Sequence, residues 1–287
     1  ANICANRVAV YGPEEAVLAF VAAAKGPVRG PDYGLLPTEM RIIDEVRAGK
    51  PVAEAFRDAN LRIDRLIDSL PSTPMNRVLS ASVAIPPVDE SEFEQWAADV
   101  QSTVERMSAE FGDANGETYL SLQAFVPMPD EVARETYGHV GYHWQLIMHG
   151  CKWHVSVAAP SIEAVPDPFG GVTGQSVAVY PLFDSPNSPP FPALLAASAR
   201  HPEVTVVAAF ADPEMDSFLH LAARGGSVLA EGEMDSGNLP RSCFGRYSED
   251  DGFMAGEEYV DEASALVYLC ELAYMEAQES LPSVGLR

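Results

Sequence analysis

Basic residues are scarce in this sequence of 287 residues. It contains 18 lysines and arginines against 42 aspartates and glutamates, which gives a net charge of -24 at pH 7. Because so acidic a chain repels nucleic-acid phosphates, we expect no direct nucleic-acid binding. The charge fits three interpretations: solubility alone, a basic protein partner, or imitation of a polyanion such as DNA.

Long apolar runs and cysteine motifs are also missing. No uncharged run reaches the ~20 residues that a membrane span requires, so we expect no membrane association. The start of the sequence lacks the basic and apolar regions of a signal peptide. The four cysteines have no C-x-x-C spacing, which indicates reduced thiols rather than a disulfide framework. We therefore expect a soluble protein of a cytoplasm.

Hydrophobic periodicity predicts strands and helices that do not alternate strictly. Strands are expected at residues 6–12, 75–85, 117–129, 175–183, 203–211, 217–224 and 227–233, and as two short strands about Gly150 within residues 143–160. Helices are expected at residues 13–25, 38–49, 51–70, 93–111, 188–202 and 262–279, with Thr38 and Ser188 as candidate N-caps. Because several strands are sequence neighbours, the pattern favours an α+β fold with an antiparallel sheet.

The stretch WQLIMHGCKWHVSV, residues 144–157, is unusually rich in groups that can bind metal or react. With His143 just before it, His149, Cys151 and His154 are the candidate zinc ligands. An enzyme site over residues 142–154 would use Cys151 as a nucleophile that His149 activates. No third orienting group and no recognised zinc spacing accompany these residues.

We therefore favour a structural interpretation of this stretch, in which Trp144 and Trp153 are buried where the sheet packs against helices. On this interpretation the chain has no metal and no catalytic residue. The glycines of FGGVTGQS, residues 169–176, lack the lysine of a P-loop, so we expect no cofactor either. The prolines of SPNSPPFP, residues 185–192, suit a helix start better than docking to a proline-binding module.

Four stretches in order resemble one known family. The start NICANRVAVYGPEEAVLAF combines an Asn-x-Cys-x-Asn motif with a strand, a glycine and a helix. LQAFVPMPDEV, HGCKWH and FDSPNSPPFPALLAASARHPEVTVVAAFADP follow it along the chain. Together they resemble the YubB-type proteins of phages and plasmids, over most of residues 2–234.

The resemblance implies a ferredoxin-like domain over residues 1–234 with helical insertions at about 27–74 and 89–112. It does not cover residues 235–287, which we expect to form an acidic extension with one helix. It implies no activity, since the family's function is unknown. His149 and Cys151 stand where the family has tryptophan and threonine, which favours a structural motif. The motif residues that the resemblance marks as structural are Asn2, Cys4, Asn6, Gly12, Pro127, Pro129, Gly150, Lys152, Trp153, Ser185, Pro189 and Pro190.

The sequence favours a non-enzymatic phage or mobile-element protein that acts through protein–protein interaction. It would be either a part of the virion or a modulator of host defence in the host cytoplasm, with a phage structural protein or a host protein as partner. Two alternatives stay open: an acidic DNA-mimic inhibitor, and an enzyme with a His/Cys site. After Val228 the sequence holds thirteen acids against three arginines. The candidate partner surface comprises Glu249, Asp250, Asp251, Glu257, Glu258, Asp261 and Glu262.

Overall fold

The computed structural model describes residues 3–27, 36–70, 84–111, 117–135, 137–151, 155–166, 172–186, 188–212, 215–246 and 258–280. The chain divides into two compact units. Unit 1 comprises residues 1–28, 117–126 and 149–287, and unit 2 comprises residues 29–116 and 127–148. This division differs from the predicted boundary at residue 234.

The described elements run in chain order as follows. The first half holds β1 (Ile3–Pro13), α1 (Glu14–Ala24), β2 (Gly26–Pro27), α2 (Pro37–Arg47), α3 (Val52–Ser69), α4 (Phe93–Phe111), β3 (Glu117–Thr118), α5 (Leu122–Phe125), α6 (Asp130–Ala133), a π-helical turn (Tyr137–Gly141) and α7 (Tyr142–Met148). The second half holds β4 (Ser161–Pro166), β5 (Val172–Val179), β6 (Phe183–Pro186), α8 (Phe191–Arg200), β7 (Thr205–Asp212), β8 (Ser217–Arg224), β9 (Ser227–Met234), two 3-10 turns (Ser236–Asn238 and Arg241–Cys243), β10 (Phe244–Arg246), β11 (Glu258–Val260) and α9 (Glu262–Ser280).

Unit 1 is built on a seven-stranded antiparallel sheet of order β4-β5-β1-β7-β8-β9, with β6 paired to the start of β1. The chain order β1-α1-β4-β5-α8-β7, with β1 between β5 and β7, is the ferredoxin-like arrangement. The hairpin of β8 and β9 extends this sheet beyond β7, with Gly225 and Gly226 in its turn at positive φ. The predicted α+β fold with a ferredoxin-like antiparallel sheet is confirmed.

The two faces of the sheet are covered by different helices because strand side chains alternate between them. Val8, Val10, Val206 and Ala208 pack with α1 and α8 on one face. The other face, with Val207, Ala209 and Ala211, packs against α9 through a second set of buried residues that includes Leu266, Leu269 and Ala273. The C-terminal helix is therefore part of the core of unit 1, not an extension outside it.

Helices α2, α3 and α4 of unit 2 follow the apolar periodicity that the sequence predicts. Phe56 and Ile63 of α3 are buried with Ile42 and Ile43 of α2. The ring centroids of Phe56 and Trp96, on α4, lie 4.9 Å apart. These aromatic and aliphatic contacts account for the long amphipathic helices of this unit.

Two predicted elements differ from the structure, and a third lies mostly outside the described residues. Residues 117–129 form the short β3 and α5 instead of one strand, because Leu122 and Phe125 reach the core at helical spacing. Residues 142–148 form α7 instead of a strand. Val140 and Trp144, four positions apart, are both buried, which fits a helix better than a strand. Most of the strand predicted at 75–85 lies outside the described residues.

Both predicted N-caps are wrong. Helix α2 begins at Pro37, and the buried hydroxyl of Thr38 donates to the carboxylate of Glu135 instead. Helix α8 begins at Phe191 after Pro190, and Ser188 donates to the carbonyl of Gly150. In each case a tertiary partner takes the hydroxyl away from the helix end. None of the described helices is both long and apolar enough to cross a membrane.

The integral position of α9 can be tested with two neighbouring residues. Leu266 is fully buried, whereas Val267 is 36% exposed. Because Leu266→Ala leaves a cavity in the core beneath the sheet, we expect it to lower the free energy of unfolding by about 2–5 kcal/mol. Val267→Ala should change it by less than about 1 kcal/mol. Urea unfolding measures both, and equal small effects would contradict the packing of α9.

Candidate functional site

Some candidate residues lie outside the described part of the chain. These are Asn2, Lys152, Trp153, His154, Glu249, Asp250, Asp251 and Glu257. The backbone of Glu258 lies in β11, and its side chain is not described. The burial of Trp153 therefore stays a prediction. Trp144 is 4% exposed, so its predicted burial is confirmed, but it lies in α7 of unit 2 and not on a strand of the sheet.

The candidate histidines and cysteine fall in different units. His143 belongs to α7 of unit 2, and His149 and Cys151 belong to unit 1. His139, also in unit 2, pairs through Nε2 with Oε1 of Glu39 at 3.0 Å. Burial, and then the charge of His139, lowers the pKa of His143.

His149 and Cys151 lie in surroundings that keep both of them uncharged at neutral pH. Burial lowers the pKa of His149 to about 4, although its Nε2–H donates to the carbonyl of Val126 at 2.8 Å. Burial also raises the pKa of Cys151 to about 12. A thiol nucleophile needs a thiolate and an accessible sulfur, and Cys151 has neither. All four cysteines are buried, and none is in a disulfide.

Among the described residues, no three His, Cys, Asp or Glu side chains are placed to hold a metal ion. Since His154 is outside the described residues, the expected absence of a metal stays a prediction.

What the structure does bring together is a polar junction of three sequence motifs, formed by Asn6, Gly150, Ser185 and Ser188. The buried Asn6 amide donates through Nδ2 to Ser185 Oγ at 2.8 Å, and also to the carbonyls of Cys4 and Phe183. Ser185 Oγ in turn donates to the carbonyl of Ser188 at 2.8 Å. The hydroxyl of Ser188 donates to the carbonyl of Gly150, which completes the chain of hydrogen bonds.

The backbone at Gly150 accounts for the glycine at this position. Its φ is 90°, in the left-handed region that side chains rarely adopt. A Cβ there would lie 2.5 Å from the carbonyl oxygen of Pro189 and 2.6 Å from Cδ of Pro192. The segment 149–151 is thus pressed against the start of α8, and the motif residues of the junction hold the strands and this segment in place.

Three other motif residues, Gly12, Pro127 and Pro129, also lie at positions that fit a role in the fold. Gly12 lies in β1, where a Cβ would approach Cγ1 of Val204 to 3.1 Å. Pro129 immediately precedes α6 and Pro127 lies just before it, both in unit 2. None of these residues brings a reactive group to the surface.

The structure also contains a polar cluster in unit 2 that the sequence analysis missed. The buried carboxylate of Glu135 accepts hydrogen bonds from Thr38 and, at 3.2 Å, from Nη1 of Arg41. Beside it is a pocket of about 440 Å³ whose lining includes four arginines. Arg62 and Arg65 share one side of α3 by their spacing, which is a visible signal, but Arg41 and Arg134 come from distant positions.

Asp261 and Glu262 are the members of the predicted acidic surface whose side chains the structure describes. Asp261 ends the turn before α9, and its carboxylate accepts from the Ala263 N–H at 3.2 Å and from the Ser264 hydroxyl at 2.7 Å. Burial raises the pKa of Glu262, and the negative charges of Asp184 and Asp261 add to this effect. Asp261 is thus a helix cap, while Glu262 lies in a group of like charges.

Comparison with known proteins gives one distant structural likeness. No family model matches the sequence, and no curated protein matches it. The chain is similar to the crystal structure of a protein api92 from Yersinia pseudotuberculosis, described by the family model DUF1281, with 13% identity and a TM-score of 0.40. The likeness covers 83% of this chain and 99% of the other.

The effect of the close contact between Gly150 and Pro189 on stability can be measured by substitution. Gly150→Ala places a Cβ in the left-handed region and against Pro189, so we expect a loss of roughly 2–5 kcal/mol in the free energy of unfolding. Gly174 also has a positive φ, of 70°, but a Cβ there would meet no atom within 4 Å. Gly174→Ala should therefore cost only about 1–2 kcal/mol. Equal losses would show that the contact with Pro189 does not constrain Gly150.

His149 should make stability depend on pH. Its pKa is lowered from 6.5 to about 4 in the folded chain, so the unfolded chain binds a proton first as the pH falls. The stability it contributes is complete above pH 6.5 and is lost as the pH falls toward 4. We expect about 2 kcal/mol of loss by pH 4.5.

His149→Gln isolates this contribution, because glutamine keeps a donor for the Val126 carbonyl and does not titrate. Urea unfolding of both proteins at pH 7.5 and pH 4.5 gives the comparison. The wild-type protein should lose about 2 kcal/mol more than the variant. Parallel losses would mean that His149 is not buried as a neutral imidazole.

Proposed function

We propose that this chain is a non-enzymatic protein that acts by binding a basic surface of another protein. The setting that the sequence resemblance implies is a phage or another mobile element, either in the host cytoplasm or in the virion. The binding surface lies on the outer side of α9 and the acidic residues near its start.

The state of the reactive residues supports a non-enzymatic role. The His149 imidazole and the Cys151 thiol are neutral and buried. His149 and the hydroxyl of Ser188 each donate a hydrogen bond to a backbone carbonyl. Catalysis by a nucleophile requires that the attacking atom reach a substrate. His149 and Cys151 are instead part of the interior of unit 1.

The observation that carries the proposal is the outward row of α9, formed by Val267, Glu271, Met275 and Glu279 at a spacing of four. All four side chains are exposed, and Met275 is 56% exposed. Helix α9 contains no lysine or arginine in its 19 residues. The row therefore joins exposed apolar side chains to acidic charge that the helix itself does not neutralise.

Such a row fits a partner surface that presents apolar side chains surrounded by basic residues. Burial of Val267 and Met275 would supply the apolar part of the binding energy, and methionine adapts its shape to a partner. Basic groups of the partner would pair with Glu271 and Glu279. The negative charges near Asp184, Asp261 and Glu262 would steer the partner toward α9, and this steering would weaken as salt increases.

The test is a pair of variants that remove the same charge from different places. Glu271→Gln with Glu279→Gln changes the row on α9, and Asp64→Asn with Asp68→Asn changes exposed acids of α3 in unit 2. A protein captured from infected or host cells by the wild-type chain is measured against both double variants. The α9 variant should bind it roughly fivefold more weakly or worse at low salt, and the α3 variant should bind it normally.

The outcomes separate a specific surface from bulk charge. A difference between the variants that disappears at moderate salt supports the proposal. If both double variants weaken binding equally, net charge and not α9 governs capture. If no protein is captured reproducibly by the wild-type chain, the proposed interaction is wrong.

A further inference from the structure

A pocket of unit 2 concentrates positive charge in an otherwise acidic chain. It is an open depression of about 440 Å³ that Arg41, Arg62, Arg65 and Arg134 line. Only 18 of the 287 residues are lysine or arginine, so four arginines at one pocket are an unusual concentration. Mutual repulsion makes such a group unfavourable unless anions balance it.

The protein's own carboxylates balance this charge only in part. Glu135 accepts from Arg41 at 3.2 Å, and Arg62 reaches Oε1 of Glu45 through Nη1 at 3.4 Å. Lys50 competes for the same Glu45 at 2.7 Å. Glu131 is the other acid of the lining.

Several donors of these arginines have no carboxylate close by. Nε and Nη2 of Arg62 are buried and have no hydrogen-bond partner among the described residues. These two nitrogens form the edge of a guanidinium that binds both oxygens of a carboxylate or phosphate. Among the described residues, Arg65 is exposed and has no ion-pair partner. The Arg134 guanidinium lies 4.0 Å from the carboxylate of Asp130, and both side chains are exposed to solvent.

We propose that this pocket binds a small organic anion through a phosphate or carboxylate group held by Arg62 and Arg65. A turn of the Arg62 side chain presents its Nε and Nη2 edge to the ligand and gives both donors an acceptor. Leu66 and the aliphatic parts of the arginines contact the organic part of the ligand. Glu131 favours a ligand that also carries a positive group. The net charge of -24 disfavours an extended polyanion such as a nucleic acid.

The experiment titrates the full chain with inorganic phosphate and with citrate by calorimetry, at low ionic strength and with sodium chloride as the control for screening. We expect saturable binding of one of the two anions with one site per chain. The anion that binds more tightly distinguishes a phosphate site from a carboxylate site. Binding of neither anion beyond the chloride control overturns the proposal.

Three variants and a matched control locate the site. Arg65→Gln removes an exposed side chain, so the chain should fold normally and lose at least tenfold in affinity. Arg62→Lys keeps the charge and loses the paired donors, and it should also lose about tenfold, as should Arg62→Gln. Arg57→Gln removes the same charge from the same helix, but Arg57 pairs with Asp58 and does not line the pocket.

Arg57→Gln should leave the affinity within about twofold of wild type, because salt screens distant charges. Equal effects of Arg57→Gln and Arg65→Gln would show that overall charge binds the anion, which contradicts the proposed pocket. Full affinity in Arg62→Lys would contradict the paired contact. Circular dichroism of each variant verifies that the chain remains folded.

Discussion

The pairing of β1 on both of its edges is the constraint on which the rest of unit 1 depends. Strand β7 pairs with one edge, and β6 and β5 follow one another along the other. Because both edges are bonded within the sheet, the side chains of β1 can only alternate between two cores. One core requires α1 and α8, and the other requires α9, where Tyr274 stacks on Tyr11 with ring centroids 3.9 Å apart. The N-terminal and C-terminal elements therefore stabilise one another through a single strand.

The polar junction next to this strand holds the segment that carries His149 and Cys151. Asn6 lies where β1 pairs with β6, and its amide is connected through Ser185 and Ser188 to the carbonyl of Gly150. A buried polar group is stable only when its hydrogen bonds are satisfied, so this network fixes its members in one arrangement. His149 and Cys151, next to Gly150, are held in apolar surroundings by the same geometry.

Charge is distributed unevenly in the molecule, and this unevenness carries the functional interpretation. In unit 1 the C-terminal helix has acids and no base, and Glu262 lies among like charges. In unit 2 four arginines gather at one pocket. We propose a basic protein surface as the partner of the acidic helix face, and a small anion as the ligand of the open arginine pocket. The two features call for ligands of opposite charge and can be tested separately.

The sequence by itself determined the fold class, most helices, and five of the seven strands of the large sheet, because their apolar periodicity depends on neighbouring residues alone. Strands β4 and β6 were not predicted. It also indicated that Gly150, Ser185 and Asn6 belong to structural motifs. The tertiary structure alone decided the roles of Thr38 and Ser188, whose hydroxyls look like helix caps but bond to residues 97 and 38 positions away. It likewise decided that α9 belongs to the core and that Arg41 and Arg134 join Arg62 and Arg65 at one pocket. Such contacts depend on how elements pack, and no local pattern records them.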